Sequence, residues 1–239
     1  MANDYFRFKQ FMIRQERCAM KVGTDGVLLG AWVGLDGCRK MLDVGTGTGV
    51  IALMLAQRKP EATVEAVEID ESAYGQAKEN AGDSPFARRI HMIHAPFSDY
   101  ASQTDSKYDL IVSNPPYFVR SLKNPDPQRR IARHTDSLAV EELIEKAKGL
   151  LTKDGRLALI LPAGQADELS AIAQSNELSV TRQTLVIPFP GAAPKRILSE
   201  LSTALSPACT ADSLLIADAC RQYTTAYVAL TRDFYLKMP

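Results

Sequence analysis

No stretch of about 18 apolar residues occurs in this sequence, which excludes an ordinary membrane-spanning helix. Cysteines are few and scattered. Cys18, Cys38, Cys209 and Cys220 form no C-x-x-C pair, and the 3 histidines stand at no ligand spacing, so a metal site or a disulfide framework is not expected. The opening MANDYFRFKQF lacks the charged-then-apolar pattern of a secretory signal and the amphipathic pattern of a transit peptide, so a cytoplasmic location is expected. Net charge is missing too. The 28 Lys and Arg balance 28 Asp and Glu, so any nucleic-acid site must come from local clustering. Internal repeats, low-complexity tracts and linkers are all absent. A single domain over residues 1–239 is therefore expected, with residues 1–39 as an N-terminal extension packed on its core. What remains is 46% hydrophobic and 23% charged, the balance of an ordinary globular protein.

The most informative early stretch is KMLDVGTGTGVIALMLAQR, residues 40–58. Met41 to Val44 reads as a strand, Gly45, Gly47 and Gly49 as a tight turn, and the apolar run after them as a buried helix. Glycine at every second position lets the backbone approach a ligand, and a helix start presents free N–H groups. The spacing is G-x-G-x-G rather than G-x-G-x-x-G, and Asp43 sits inside the strand. Both features favour S-adenosylmethionine, whose ammonium and carboxylate need an acceptor and backbone donors, over a pyrophosphate. Residues 62–69 read as the next strand, with Glu68 near its end, where a ribose-binding carboxylate belongs. Asp70 reads as the N-cap of a helix over 71–80.

Further strands are expected at 90–94, 108–113 and 156–161, and helices at 140–151 and 163–174. Residues 181–187 and 196–201 flank the turn PFPGAAPK and read as an antiparallel pair closing the sheet. A short strand at 213–217 and a helix at 222–232 complete the reading. Strands alternating with helices predict an α/β fold, Rossmann-like, with a mostly parallel seven-stranded sheet and an antiparallel hairpin at one edge.

The fourth strand opens onto Asn114, Pro115, Pro116 and Tyr117. Prolines keep this corner out of a helix, so the Asn114 carboxamide oxygen and the Pro115 carbonyl are two neighbouring acceptors, and Tyr117 offers a stacking face. Adenine N6, cytosine N4, a guanine amine or a glutamine amide would each fit, and so would a plain proline-stiffened loop. Residues 118–135 follow as a loop rich in Arg and Pro. Positive charge clusters in two places: residues 6–21, which include Lys21, and residues 118–134, which include Arg120, Arg129, Arg130 and Arg133. Each is either a phosphate-contacting arm or a solvated face.

With LDVGTGTG, VEID and NPPY in this order, the chain resembles the class I S-adenosylmethionine-dependent methyltransferases that act on exocyclic amino groups. It is most similar to the bacterial tRNA1(Val) (adenine-37-N6)-methyltransferase family, through FRFKQF, CAMKVGTDGVLLGAW, ARH, PKRILSEL and FYLK as well. The resemblance implies S-adenosylmethionine as cofactor and tRNA as partner. It implies cofactor contacts from Thr24 and Asp25 beside Asp43, Gly45, Gly47, Gly49 and Glu68, catalysis at Asn114, Pro115 and Tyr117, and RNA contacts from the basic residues named and from His134. His134 reads as an orienting or packed histidine rather than a base. Pro96 stands where the family often carries an acidic residue, which leaves Asp99 or backbone groups to meet the cofactor's adenine. No metal and no protein partner is expected, and the chain is expected to be a monomer. The rival readings are a protein glutamine methyltransferase, which carries a sizeable helical domain before its glycine loop, and an inactive RNA-binding relative.

Overall fold

A computed structural model describes residues 4–116, 140–204 and 209–238. Tyr117, Arg120, Arg129, Arg130, Arg133 and His134, with the loop expected at 118–135, lie outside the described residues.

The fold is built on β3, Lys40–Val44, which pairs in parallel with β4, Thr63–Glu68, on one side and β6, Tyr108–Ser113, on the other. A strand with two parallel neighbours is covered on both faces, so nearly every residue must be apolar. Alternate side chains then feed opposite layers. Met41, Leu110 and Val112 pack with α1 (Thr24–Trp32) and α2 (Val50–Arg58). Leu42 and Ile111 pack with α5 (Val140–Leu150) and α6 (Ala166–Ser175). The α5 helix buries Leu143, Ile144, Ala147 and Leu150, one stripe at helical spacing. The α1 helix, by contrast, buries seven consecutive residues from Gly26 to Trp32, because other elements enclose it on all sides. Gly30 allows the closest of these approaches, since a Cβ there would meet Met54 Sδ at 2.9 Å.

The remaining elements are β5 (Ile90–His94), β7 (Leu151–Pro162), β8 (Ser179–Ile187), β9 (Arg196–Ser202), β10 (Thr210–Leu215), α3 (Glu71–Gly82), α4 (Phe97–Gln103) and α7 (Thr225–Thr231). The sheet runs in the order β10-β8-β9-β7-β6-β3-β4-β5. It has eight strands rather than the expected seven, because the short strand expected at 213–217 forms as β10 and joins the sheet, and this corrects the expected edge. The antiparallel pair β8 and β9 does form, but β10 adds parallel to β8, so the hairpin lies inside the sheet. Since β9 is antiparallel to both β7 and β8, every strand except β9 ends at the same edge. Ligands in open α/β sheets bind at this carboxyl edge.

The basic N-terminal segment forms a two-stranded antiparallel sheet, β1 (Tyr5–Arg7) with β2 (Met12–Arg14), anchored by Phe8, Phe11 and Ile13 in the α1/α2 layer. No helix among the described residues is long and apolar enough to cross a membrane.

Candidate active site

A cavity of about 550 Å³ opens at the carboxyl edge of β3, β4, β5 and β6. One wall is the loop after β3 and the end of β4. The Gly45 and Thr46 amides both donate to the Val67 carbonyl, at 2.9 and 3.1 Å, which fastens the loop to the neighbouring strand end. Gly45 and Gly47 hold φ of +69° and +55°, and a Cβ on either would meet nothing within 4 Å. Both line the cavity, so the loop presents bare backbone to open space. Gly49 serves a different end. With φ of +82° it caps α2, and its missing Cβ would sit 3.4 Å from Ala77 of α3.

Two carboxylates organise this wall. Glu68 lines the cavity, accepting from the Gly47 amide at 2.8 Å and the Asp70 amide at 3.0 Å. Asp43 is wholly buried and is not among the cavity's lining residues. Its Oδ2 accepts from Thr46 Oγ1 at 2.5 Å and from the Ala52 amide at 3.1 Å, which locks the glycine loop onto the first turn of α2. Its Oδ1 is buried with no hydrogen-bond partner. Burial, reinforced by the charge of Glu68, pushes Asp43 up to about 7 against the pull of its two hydrogen bonds. Asp70 caps α3 as the sequence predicts, accepting from the Ala73 amide at 2.7 Å.

The opposite wall carries no ionisable group at the strand end. Ser113, Asn114, Pro115 and Pro116 line it, and Ser113 Oγ ties the end of β6 to the Val44 carbonyl at 2.8 Å. Between the walls lie Ala95, Pro96, Phe97 and Ser98, where the sequence places an adenine ring. Asp99 is exposed and does not line the cavity, so of the two replacements expected for the missing acid only backbone groups lie there, and Ser98, which was not expected, lines the cavity beside them.

Sequence reading missed the roof. Cys18, Ala19 and Met20 line the cavity, with Met20 59% and Ile69 51% exposed on its rim. The arm reaches there through bonds to α3. Asn80 accepts from the Arg14 amide and donates to the Arg14 and Thr48 carbonyls, all at 2.9 Å, so one buried amide joins arm, helix and glycine loop. Burial, with Glu68 and Asp70 nearby, pushes the Cys18 thiol up to about 11. Glu142 and Leu143 of α5 were also missed.

The structure does not bring every candidate to the cavity. Thr24 opens α1, Asp25 pairs with Arg196 at 2.8 Å, and Lys21 lies 3.9 Å from Asp4; none of the three lines it.

The walls have parts that S-adenosylmethionine would need: bare backbone where a ligand must come close, the Glu68 carboxylate at the end of β4, and an apolar slot that would take a ring. Residues 27–176 match the model of the methyltransferase small domain family. The chain is 49% identical over 238 residues to the tRNA1(Val) (adenine(37)-N6)-methyltransferase of Parabacteroides distasonis, covering 100% of both chains. It is 44% identical to that of Aeromonas hydrophila, covering 99% of each. Among solved structures, a predicted O-methyltransferase of Agrobacterium tumefaciens superposes with a TM-score of 0.70 at 22% identity, over 88% of this chain and 96% of that one. A putative RNA methyltransferase of Pyrococcus horikoshii gives 0.54 at 18% identity, over 75% and 83%. At such identities the likeness is one of fold.

Proposed function

The chain belongs to the tRNA1(Val) (adenine(37)-N6)-methyltransferase family, and we propose that it methylates N6 of adenine 37 in the anticodon loop of tRNA1(Val), using S-adenosylmethionine. The observation that carries this reading is the meeting in one cavity of Gly45, Gly47 and Glu68 with Asn114 and Pro115. Gly45, Gly47 and Glu68 would hold the cofactor directly, while Asp43 and Gly49 set the loop's shape from behind. Thr24 and Asp25, which do not line the cavity, stand at the start of α1, beside Gly26, whose missing Cβ would lie 3.3 Å from Val50 at the start of α2.

S-adenosylmethionine supplies an electrophilic methyl group. Adenine N6 is a poor nucleophile because its lone pair is delocalised into the ring. The Asn114 carboxamide oxygen and the Pro115 carbonyl would accept its two N–H groups, which favours a more pyramidal nitrogen and fixes the direction of its lone pair. Prolines at 115 and 116 hold these acceptors in place before substrate arrives, so alignment and electrostatics provide the acceleration. Transfer would form the N–C bond as the methyl group's bond to the sulfonium breaks, the electron pair staying on sulfur as a neutral thioether, and the methylated nitrogen would then release a proton to solvent, with no side chain needed as base. A base held at a strand end cannot be reached inside a stacked helix, so the target must be unpaired, as loop bases are.

The test is transfer of labelled methyl to total tRNA and, separately, to a glutamine-containing peptide, followed by nuclease digestion and mass spectrometry. N6-methyladenosine at position 37 is expected. Label in the peptide, or at another base, would overturn the assignment.

A further inference from the structure

The same sheet edge continues beyond the cavity into a patch that the methylation chemistry does not use. The β8–β9 turn and the segment after β10 meet there, where the Ile216 and Ala217 amides donate to the Ile187 and Pro188 carbonyls at 2.9 and 3.0 Å. Phe189, on the turn, is 40% exposed, and the Arg221 guanidinium lies over its ring at 4.9 Å. Lys195 is exposed at the other end of the turn, beside the end of β7, since the Ala163 amide donates to its carbonyl at 3.2 Å. Tyr223, 59% exposed, packs on Tyr227 at 5.0 Å.

Two features set this patch apart from ordinary surface. Neither Lys195 nor Arg221 has an ion-pair partner among the described residues, whereas neighbouring Arg196 is engaged by Asp25. Asp218, the one acid in the loop that carries Arg221, is turned onto that loop's own backbone, accepting from the Cys220 and Gln222 amides at 2.8 and 2.9 Å. The second feature is backbone strain. Arg221 holds φ of +63°, where glycine or asparagine would be the easy choice. The tight turn, closed by the Ala217–Tyr223 bridge, keeps an arginine in that conformation, and the result is a guanidinium laid across an exposed aromatic ring.

We infer that Phe189, Lys195 and Arg221 form a docking patch for the RNA substrate outside the methylation pocket, the two cations meeting phosphates and the Phe189–Arg221 pair offering a platform for an unpaired base. The inference rests on tRNA being the substrate. Position supports it. With strands about 4.8 Å apart, the start of β9, the end of β8 and the end of β10 lie about 10, 14 and 19 Å along the edge from the end of β6, within a few nucleotides of a base held at Asn114. Exposed aromatic faces interleaved with cations are the usual means of holding unpaired nucleotides.

The test measures tRNA affinity against salt for wild type, Lys195→Ala, Arg221→Gly and Phe189→Ala, with melting temperature and S-adenosylmethionine affinity for each. Wild type settles the substrate separately, because failure to bind tRNA would overturn both the substrate reading and this inference before any variant is compared. Lys195→Ala and Arg221→Gly should each lower the slope of log affinity against log salt by about 1. Phe189→Ala should weaken tRNA binding about tenfold. Cofactor affinity should not move, and Arg221→Gly should melt no lower than wild type because the strain is gone. Unchanged salt slopes in Lys195→Ala and Arg221→Gly, or a drop in melting temperature with tRNA affinity intact, would overturn the inference and leave the patch a packing feature.

Discussion

The two walls of the cavity are made rigid by opposite means. The Gly45–Glu68 wall is shaped by charge and hydrogen bonds: two carboxylates, Asp43 and Glu68, hold a loop of three positive-φ glycines through the amides of Gly47 and Ala52 and the hydroxyl of Thr46. The Asn114–Pro116 wall contains no ionisable side chain and is shaped by proline's covalent constraint and by Ser113 Oγ bonded to the Val44 carbonyl. The difference suits a division of labour. On the proposed function, the wall framed by carboxylates would bind the charged cofactor in its ground state, while the neutral pair of acceptors would act on the amine as it reacts.

Substitutions should therefore separate binding from turnover. The largest effect is expected from Gly47→Leu, because Gly47 has positive φ and its Cβ would project into open cavity. Cofactor binding should be abolished in a folded protein, as read by calorimetry. Asn114→Ala should lower turnover by on the order of 10²–10³, by analogy with losing one preorganised contact to the reacting group. Glu68→Ala leaves the Gly47 and Asp70 amides without their acceptor and should weaken cofactor binding roughly 10- to 100-fold, in line with hydrogen bonds to a charged group. Turnover at saturating cofactor should fall far less.

The smallest effect is one of pH. An acid held at about 7 in the fold, and in the ordinary carboxylate range when unfolded, binds a proton in the native state that the unfolded chain has released. Its contribution thus makes the protein less stable as pH rises from about 4 to 7. Asp43→Asn should flatten that part of the stability profile, measured by urea unfolding at pH 5 and pH 8.

The parts of this design that were legible in the sequence are those carried by neighbours in the chain. The glycine loop, the Asp70 cap and the strand ending at Asn114 each announce themselves within a few residues. What was not legible depends on distant partners. Cys18 to Met20 reach the cavity because Asn80 and Gln76, on α3, hold the preceding arm by its backbone, and nothing in CAMK reveals that. The partner of Asp25, which the family resemblance alone puts near the cofactor, is Arg196 from β9, a neighbour that nothing around Asp25 in the chain announces. The eighth strand was misplaced for another reason. Residues 210–213 of β10 are all exposed at the edge, so the first half of TADSLL shows no alternation of apolar and polar positions, and the strand was read as starting at 213 instead of 210.

The division of labour between the walls is tested most directly by a calorimetric titration of the Asn114→Ala protein with S-adenosylmethionine. If the two walls are separate, its Kd should lie within about twofold of wild type although turnover is lost. A Kd raised tenfold or more would contradict the account, since Asn114 would then belong to the cofactor's ground-state site rather than to the reacting amine.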